Sequence, residues 1–448
     1  MSRASRATGP LFFFTSAAAV LGLVWGCKTT AATDKLCTAD AYVYCRCEDR
    51  REGTKRCSSD GTKFAECSCG LTGQLPDLGG EPQFQPIKDA TPDGGLVLPE
   101  KCAGKIAVIG SALTSDNAPD LIHTATYTGG GNWATTATTK ERPGPALRGT
   151  PQGVLVGSSL VAIWPSKFQT VVWTKFESGQ TSLLPPVQIA DALSEGLPSL
   201  VGDGANAKLF YLGQDGVFRS ASYSPTLGWD ESTKPVPPGS VDVRGRSGPA
   251  AELVGKNHVL GFAGSGGALA IQSEGAGGWD AAVAIPGAKA FTQAPAMLGL
   301  AAGNADLVLV YQGTDSVLRW TTRAKASGAW AAPALLDTAA TSDGSPALAQ
   351  MSDGRVMLVW RAIGGVPFYS VFAPADAKWM PPAAVSANVR LSSAPGVASS
   401  NCASLASTAL VDDAGNVQLM LYDGTRWVGP YFVPEMSKIT FAGTGEVP

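Results

Sequence analysis

The chain is poor in charge and nearly without histidine. Charged residues make up 16% of its 448 residues, histidine occurs twice and the formal net charge is −3. An average globular protein carries about 25% charged residues. With no basic surplus, the electrostatic footprint of a nucleic-acid partner is absent. Both histidines, His123 in "DLIHTATY" and His258 in "KNHVLGF", sit in strand-like stretches and read as packing or edge residues. No G-x-S-x-G elbow, P-loop, H-E-x-x-H helix or EF-hand loop occurs. "TGGGNW" (128–133) and "GSGG" (264–267) open no helix, so they are turns rather than phosphate cradles. Long amphipathic helical stretches are missing, which points away from an α-helical fold. Cysteine is missing between Cys102 and Cys402, and that gap needs an explanation.

Glycine (53) and proline (31) are abundant, and 44% of residues are hydrophobic, ample for a core. The first 26 residues have the form of an export signal, with Arg3 and Arg6 ahead of the apolar run "LFFFTSAAAVLGLVW" (11–25). That run is short for a membrane span. It ends in "LVWGC", which resembles the bacterial lipobox. Val24, Gly26 and Cys27 fit the pattern, whereas Trp25 stands where a small residue is usual. The resemblance implies lipidation at Cys27 and attachment to a membrane. Lys28 after the cysteine, by the same resemblance, implies the outer membrane. The alternative is ordinary cleavage after "TAA" (30–32), which would discard Cys27.

Eight cysteines remain, an even number suited to an oxidising compartment. Six of them, Cys37, Cys45, Cys47, Cys57, Cys67 and Cys69, fall within 37–69. So short a segment cannot bury a self-sufficient core, and three disulfides would staple it. A zinc site favours C-x2-C pairs, whereas these are C-x-C pairs without a nearby histidine. The segment resembles a short cysteine motif near the N-terminus of many myxobacterial exported proteins. Residues 27–36 then form a tether, and the Pro/Gly-rich stretch 70–100 forms a linker.

From 101 to 448 the sequence repeats. "LPSLVGDGANAKLFY" (197–211), "APAMLGLAAGNADLVLVY" (294–311) and "SPALAQMSDGRVMLVW" (345–360) each run from proline through a turn into a β-rich stretch ending in an aromatic. Pro145, Pro198, Pro249, Pro295, Pro346 and Pro395 mark the units, and Pro99 would mark a seventh. Trp133, Trp229, Trp279, Trp330, Trp379 and Trp427 give a second marker, with the missing tryptophan at Leu183. A β-rich repeat of about 48 residues reads as propeller blades, because one blade cannot bury both its faces and stacked blades can. The expected fold is therefore all-β, a seven-bladed β-propeller preceded by a small disulfide-rich module. An open solenoid or a pair of sandwiches is the competing architecture. Cys102 and Cys402 precede the second strands of units one and seven, so a closed ring would bring them together as a disulfide clasp.

The units "PSLVGDGANAKLFYLGQDGVFRSASYSPTLGWD" (198–230) and "PAMLGLAAGNADLVLVYQGTDSVLRWTTRAKASGAWAAP" (295–333) resemble sugar-binding propellers of the fucose-lectin and bacterial seven-bladed lectin type. That resemblance implies ligand sites between blades, built from aromatic faces with Arg and acid hydrogen bonds. On it, the expected ligand residues are Arg219, Arg319, Tyr311, Trp320 and Trp360, with Trp320 as the stacking face beside the arginines. Elsewhere the arginine is replaced, by Tyr369 or its neighbour and by Ala or Ile, and the acidic partner is not repeated. The repeated Trp229, Trp279, Trp330, Trp379 and Trp427 read as structural. "TSDGSPA" (341–347) and "MSDGRVM" (351–357) miss the S-x-D-x-G-x-x-W box of sialidase propellers, because glycine follows Asp directly. Asp203, Asp215 and Glu195 read as turn or surface acids. The functional expectation is a non-enzymatic, envelope-anchored binding protein without cofactor or metal, with a glycan or an envelope protein as partner. The alternatives are a glycan-acting hydrolase with clustered acids in an inter-blade or axial pocket, or a protein-binding envelope scaffold.

Overall fold

The computed structural model describes residues 42–46, 52–56, 58–60, 62–63, 65–66, 97–112, 121–138, 149–166, 169–177, 186–240, 248–290, 293–386, 388–402, 404–436 and 439–446. The chain divides into two compact units, 1–84 and 85–448. In the first unit, strands Tyr42–Arg46 and Glu52–Arg56 form an antiparallel hairpin. The following turn is organised by Asp60, whose carboxylate accepts from the Ser58 and Thr62 hydroxyls and the Thr62 N–H. The Ser58 hydrogen bond, then those from Thr62, pull its pKa down to about 2. Cys27, the signal segment and the cysteine pairing expected within 37–69 lie outside the described residues.

The second unit holds seven antiparallel sheets of four or five strands, and among the described residues there is no α-helix. It is a seven-bladed β-propeller. Blade three shows the pattern: Ser199–Gly202, Ala207–Leu212 and Val217–Ser224 pair in succession, and Gly228–Trp229 and Lys234–Ser240 both pair with the third. The inner strands of blades two to seven are Gln152–Val156, Ser199–Gly202, Ala250–Val254, Ala296–Gly299, Ala347–Gln350 and Gly396–Ser399. In five of them a proline immediately precedes the strand, namely Pro198, Pro249, Pro295, Pro346 and Pro395. Lacking an N–H, proline is tolerated at a strand start. In blade two that place belongs to Pro151, not to the expected Pro145, which lies outside the described residues.

Blade one departs from the linear repeat. Its inner strand is Ile439–Glu446, which pairs with Ile106–Ala112. Pro99 therefore precedes a single 3-10 turn, Glu100–Cys102, and not an inner strand. The packed body also begins slightly upstream of 101, since Leu98 is buried in the same cluster as Cys102, Val108 and Leu419. On the far side, a Cβ on Gly443 would lie 3.0 Å from the Pro151 carbonyl oxygen, and one on Gly445 would meet Leu160, so blade one abuts blade two. The ring is closed. Crowding at the axis is severe enough to require glycine at 248, where a Cβ would fall 1.6 Å from the Leu197 oxygen.

Closure brings Cys102 and Cys402 together in a disulfide, with Cα atoms 5.0 Å apart across 300 residues. Each lies four residues ahead of its blade's second strand, Ile106–Ala112 in blade one and Ala406–Val411 in blade seven. Both are buried.

Packing between blades is aromatic. Trp229 of blade three meets Trp173 of blade two, Trp379 of blade six meets Trp320 of blade five, and Trp427 of blade seven meets Tyr369 of blade six. Trp279 of blade four lies edge-on to Phe210 of blade three. Such pairs add about 0.5–1.5 kcal/mol beyond the area they bury. The repeated tryptophans thus join neighbours, as the period implied, while Leu183 lies outside the described residues.

Candidate functional site

The hairpin between a blade's second and third strands carries the polar residues that the repeat marks. In "GQDGVFR" the Gly213 N–H donates to Val217 O, and the Arg219 guanidinium folds back onto Asp215 at 2.6 Å. In "GTDSVLR" the Gly313 N–H donates to Val317 O, and Arg319 holds Asp315 with two bonds, at 2.5 and 2.7 Å. Glycine at the turn is needed for this fold-back: a Cβ on Gly313 would come within 1.8 Å of Arg319 Nη1. The arginine hydrogen bond holds each carboxyl below its usual range, more strongly at Asp315. An acidic partner is therefore repeated in these two blades, contrary to the expectation from sequence. It escaped notice because it lies four residues before the arginine and belongs to the turn.

Arg219 and Arg319 stand opposite Tyr211 and Tyr311 in the antiparallel register. Directly opposed residues share a face of the sheet. The corresponding pairs elsewhere are Phe262 with Ala270, Trp360 with Phe368 and Leu410 with Gln418. Phe368, rather than Tyr369, takes the arginine's place in blade six, and its ring stacks on Trp360. The second-strand position is a buried wall in each case, and Tyr311 and Trp360 are both 0% exposed. Trp360 Nε1 donates to Thr341 O at 3.1 Å. Tyr211 donates to Asp191 O at 3.3 Å, whereas the Tyr311 hydroxyl has no partner. Burial pushes the Tyr311 pKa up to about 12. Tyr311 and Trp360, expected as ligand aromatics, are packing residues that offer no face to solvent.

Trp320 is a second correction. Adjacent strand residues point to opposite faces. Arg319 shares its face with Tyr311, which packs on Ile271 and Ala288 of blade four, while Trp320 packs on Phe372 and Trp379 of blade six. Donor and stacking face thus belong to different blade junctions. What remains accessible is the pair of arginines, with side chains 31% and 27% exposed.

The histidines behave as read. His258 Nδ1 lies 2.5 Å from Glu274, which Lys208 of blade three also approaches, and burial lowers its pKa. Burial likewise lowers that of His123. Asp203 is a turn acid whose carboxylate accepts from the Ala205 and Asn206 N–H groups. Glu195 lies elsewhere. With Glu252 it lines a cavity of about 1220 Å³ that runs along the propeller axis between the inner strands. None of the five expected ligand residues lines that cavity.

No family model matches the chain, and no curated protein matches it. Among solved structures, the chain is similar to the BP39L lectin of Burkholderia pseudomallei, at 13% identity over 74% of this chain and 99% of that one, with a TM-score of 0.55. This is a likeness of fold. A looser match is a lectin of Aleuria aurantia described as a six-bladed propeller with a novel fucose recognition mode, at 15% identity over 64% of this chain and 95% of that one, with a TM-score of 0.46.

Proposed function

We propose that the propeller is a lectin-like binding module that takes a carbohydrate at the hairpin ends of its blades, and that Cys27 anchors it to the outer membrane through lipid. The observation that carries the binding reading is the pair of Gly-x-Asp hairpins with partly exposed arginines, Arg219 and Arg319. Each guanidinium has five N–H donors. Pairing with one carboxylate leaves several for the hydroxyls of a sugar, and the aspartate fixes the fork in advance, which lowers the cost of binding. The fold's likeness to a bacterial lectin supports the same reading. The anchor rests on "LVWGC". The disulfide-rich segment 37–69 and linker 70–100 would then act as the spacer.

A glycan array probed with the full-length protein tests the binding. A hit should weaken about tenfold or more in the Arg219→Ala, Arg319→Ala double variant, in the range for losing charge-assisted hydrogen bonds. An array without hits, or hits unaffected by the double variant, would overturn it. Cys27→Ser should release the protein from membranes, and retention would exclude the lipid anchor. The hydrolase alternative has one observation in its favour, the two carboxylates of the axial cavity. It requires glycan cleavage that is lost in Glu252→Gln.

A further inference from the structure

The axial cavity has an uneven charge. The chain as a whole holds 34 Lys and Arg against 37 Asp and Glu. Among the described residues lining the cavity there is no Lys, Arg or His, and the titratable groups are two acids, Glu195 and Glu252. The remaining polar lining is neutral, with Gln152, Gln293, Gln350 and Asn401 among it. Each inner strand is also the end strand of its sheet, so one backbone edge is left without a ladder partner.

Glu252 is the acid that calls for an explanation. It sits half-buried on the inner strand of blade four. Its carboxylate accepts from the Leu253 N–H at 3.0 Å and from the Gly299 N–H of blade five. No cationic side chain lines the cavity to balance it. A buried carboxylate without a counter-charge is costly.

We propose that the axial cavity binds a small organic cation bearing ammonium groups, anchored on Glu252 with Glu195 as the second carboxylate. An ammonium group donates three hydrogen bonds and accepts none. That matches a wall of carboxylates, amide oxygens and unpaired backbone carbonyls. A hard metal ion fits less well: calcium takes six to eight oxygens in a compact shell, and no cluster of three or more acid, His or Cys ligands occurs among the described residues. The volume is also larger than the roughly 300–1,000 Å³ of ordinary small-molecule pockets, which suits an elongated molecule.

Burial raises the Glu252 pKa. The empty cavity therefore favours the neutral acid, and a bound cation favours the carboxylate. Binding should release a proton where the acid is still protonated, and affinity should rise with pH until Glu252 is ionised.

Spermidine is a suitable probe, with glucose and citrate as neutral and anionic counterparts, measured by calorimetry and melting temperature on the full chain at pH 5 and pH 8. Spermidine should bind at pH 8 and raise the melting temperature, and at pH 5 it should bind more weakly and release protons. Glu252→Gln should lose about tenfold or more in affinity, equivalent to about 1.4 kcal/mol, whereas Asp376→Asn, at an exposed acid, should lose none. Citrate or glucose binding as well as spermidine would overturn the proposal, as would unchanged affinity in Glu252→Gln. If that variant does not fold, Glu195→Gln and the wild-type proton release still decide: full affinity in the first, or pH-independent binding without release in the second, would overturn it.

Discussion

The junction between blades five and six and the junction between blades seven and one solve the same packing problem under different entropic loads. At the first, Trp320 meets Phe372 and Trp379, and the partners lie 52 and 59 residues apart in sequence. At the second, the partners come from opposite ends of the repeat, and the disulfide joins residues 300 apart. Loop-closure entropy grows with separation, though slowly. Aromatic packing suffices where neighbouring blades are joined by a short connection. The closing junction instead adds a covalent bond and a whole paired strand, Ile439–Glu446 against Ile106–Ala112. Non-covalent and covalent junctions should therefore fail differently when perturbed.

The largest difference should come from the clasp. Replacing Cys102 and Cys402 together by serine removes a constraint worth about 5 kcal/mol in the chain-entropy picture. Both sites are buried, so the serines add a desolvation cost. Chemical denaturation of the double variant should show a large stability loss that is reproduced in wild type by reduction. Equal stability with and without reductant would show that strand pairing alone closes the ring. Next comes the non-covalent junction. Trp379→Ala removes a ring that is 7% exposed and should cost about 3–5 kcal/mol, independent of reductant. A loss below about 1 kcal/mol would mean that Trp320 and Phe372 repack without it. The smallest effect separates the two tyrosines. Tyr211→Phe should cost about 1 kcal/mol, because a hydrogen bond to Asp191 O is lost. Tyr311→Phe should be neutral or stabilising, because its hydroxyl has no partner to lose. Equal losses in both would reveal a hidden partner for Tyr311.

Much of this architecture is legible in the residues. The proline and tryptophan periods give seven blades because each marks a place with a fixed structural task, a strand start or a joint with the next blade. The clasp follows from two cysteines at the same place in their units. The closing strand is not legible, because "KITFAGTGE" (438–446) carries neither marker and its role depends on a partner more than 300 residues away. At the candidate site, the arginines are visible as a repeated offset. The mistake over Trp320 comes from reading Arg319–Trp320 as one feature, when the strand's two-residue period sends them to different junctions. The wall role of Tyr311 and Trp360 becomes clear only when the hairpins are aligned on their turns and all the aromatics fall on one buried position. Glu252 gives no signal in sequence, since its environment is made by strands brought together at the axis.

The strand Ile439–Glu446 also imposes an order of events on synthesis. Blade one receives its inner strand only after the other six blades have been translated. Until then Ile106–Ala112 presents a bare edge, with N–H and C=O groups free to pair with any strand nearby, including one from another nascent chain. The middle blades can assemble as they emerge, while the first must wait for the last, so the interval between them is when this protein is most exposed to misassembly.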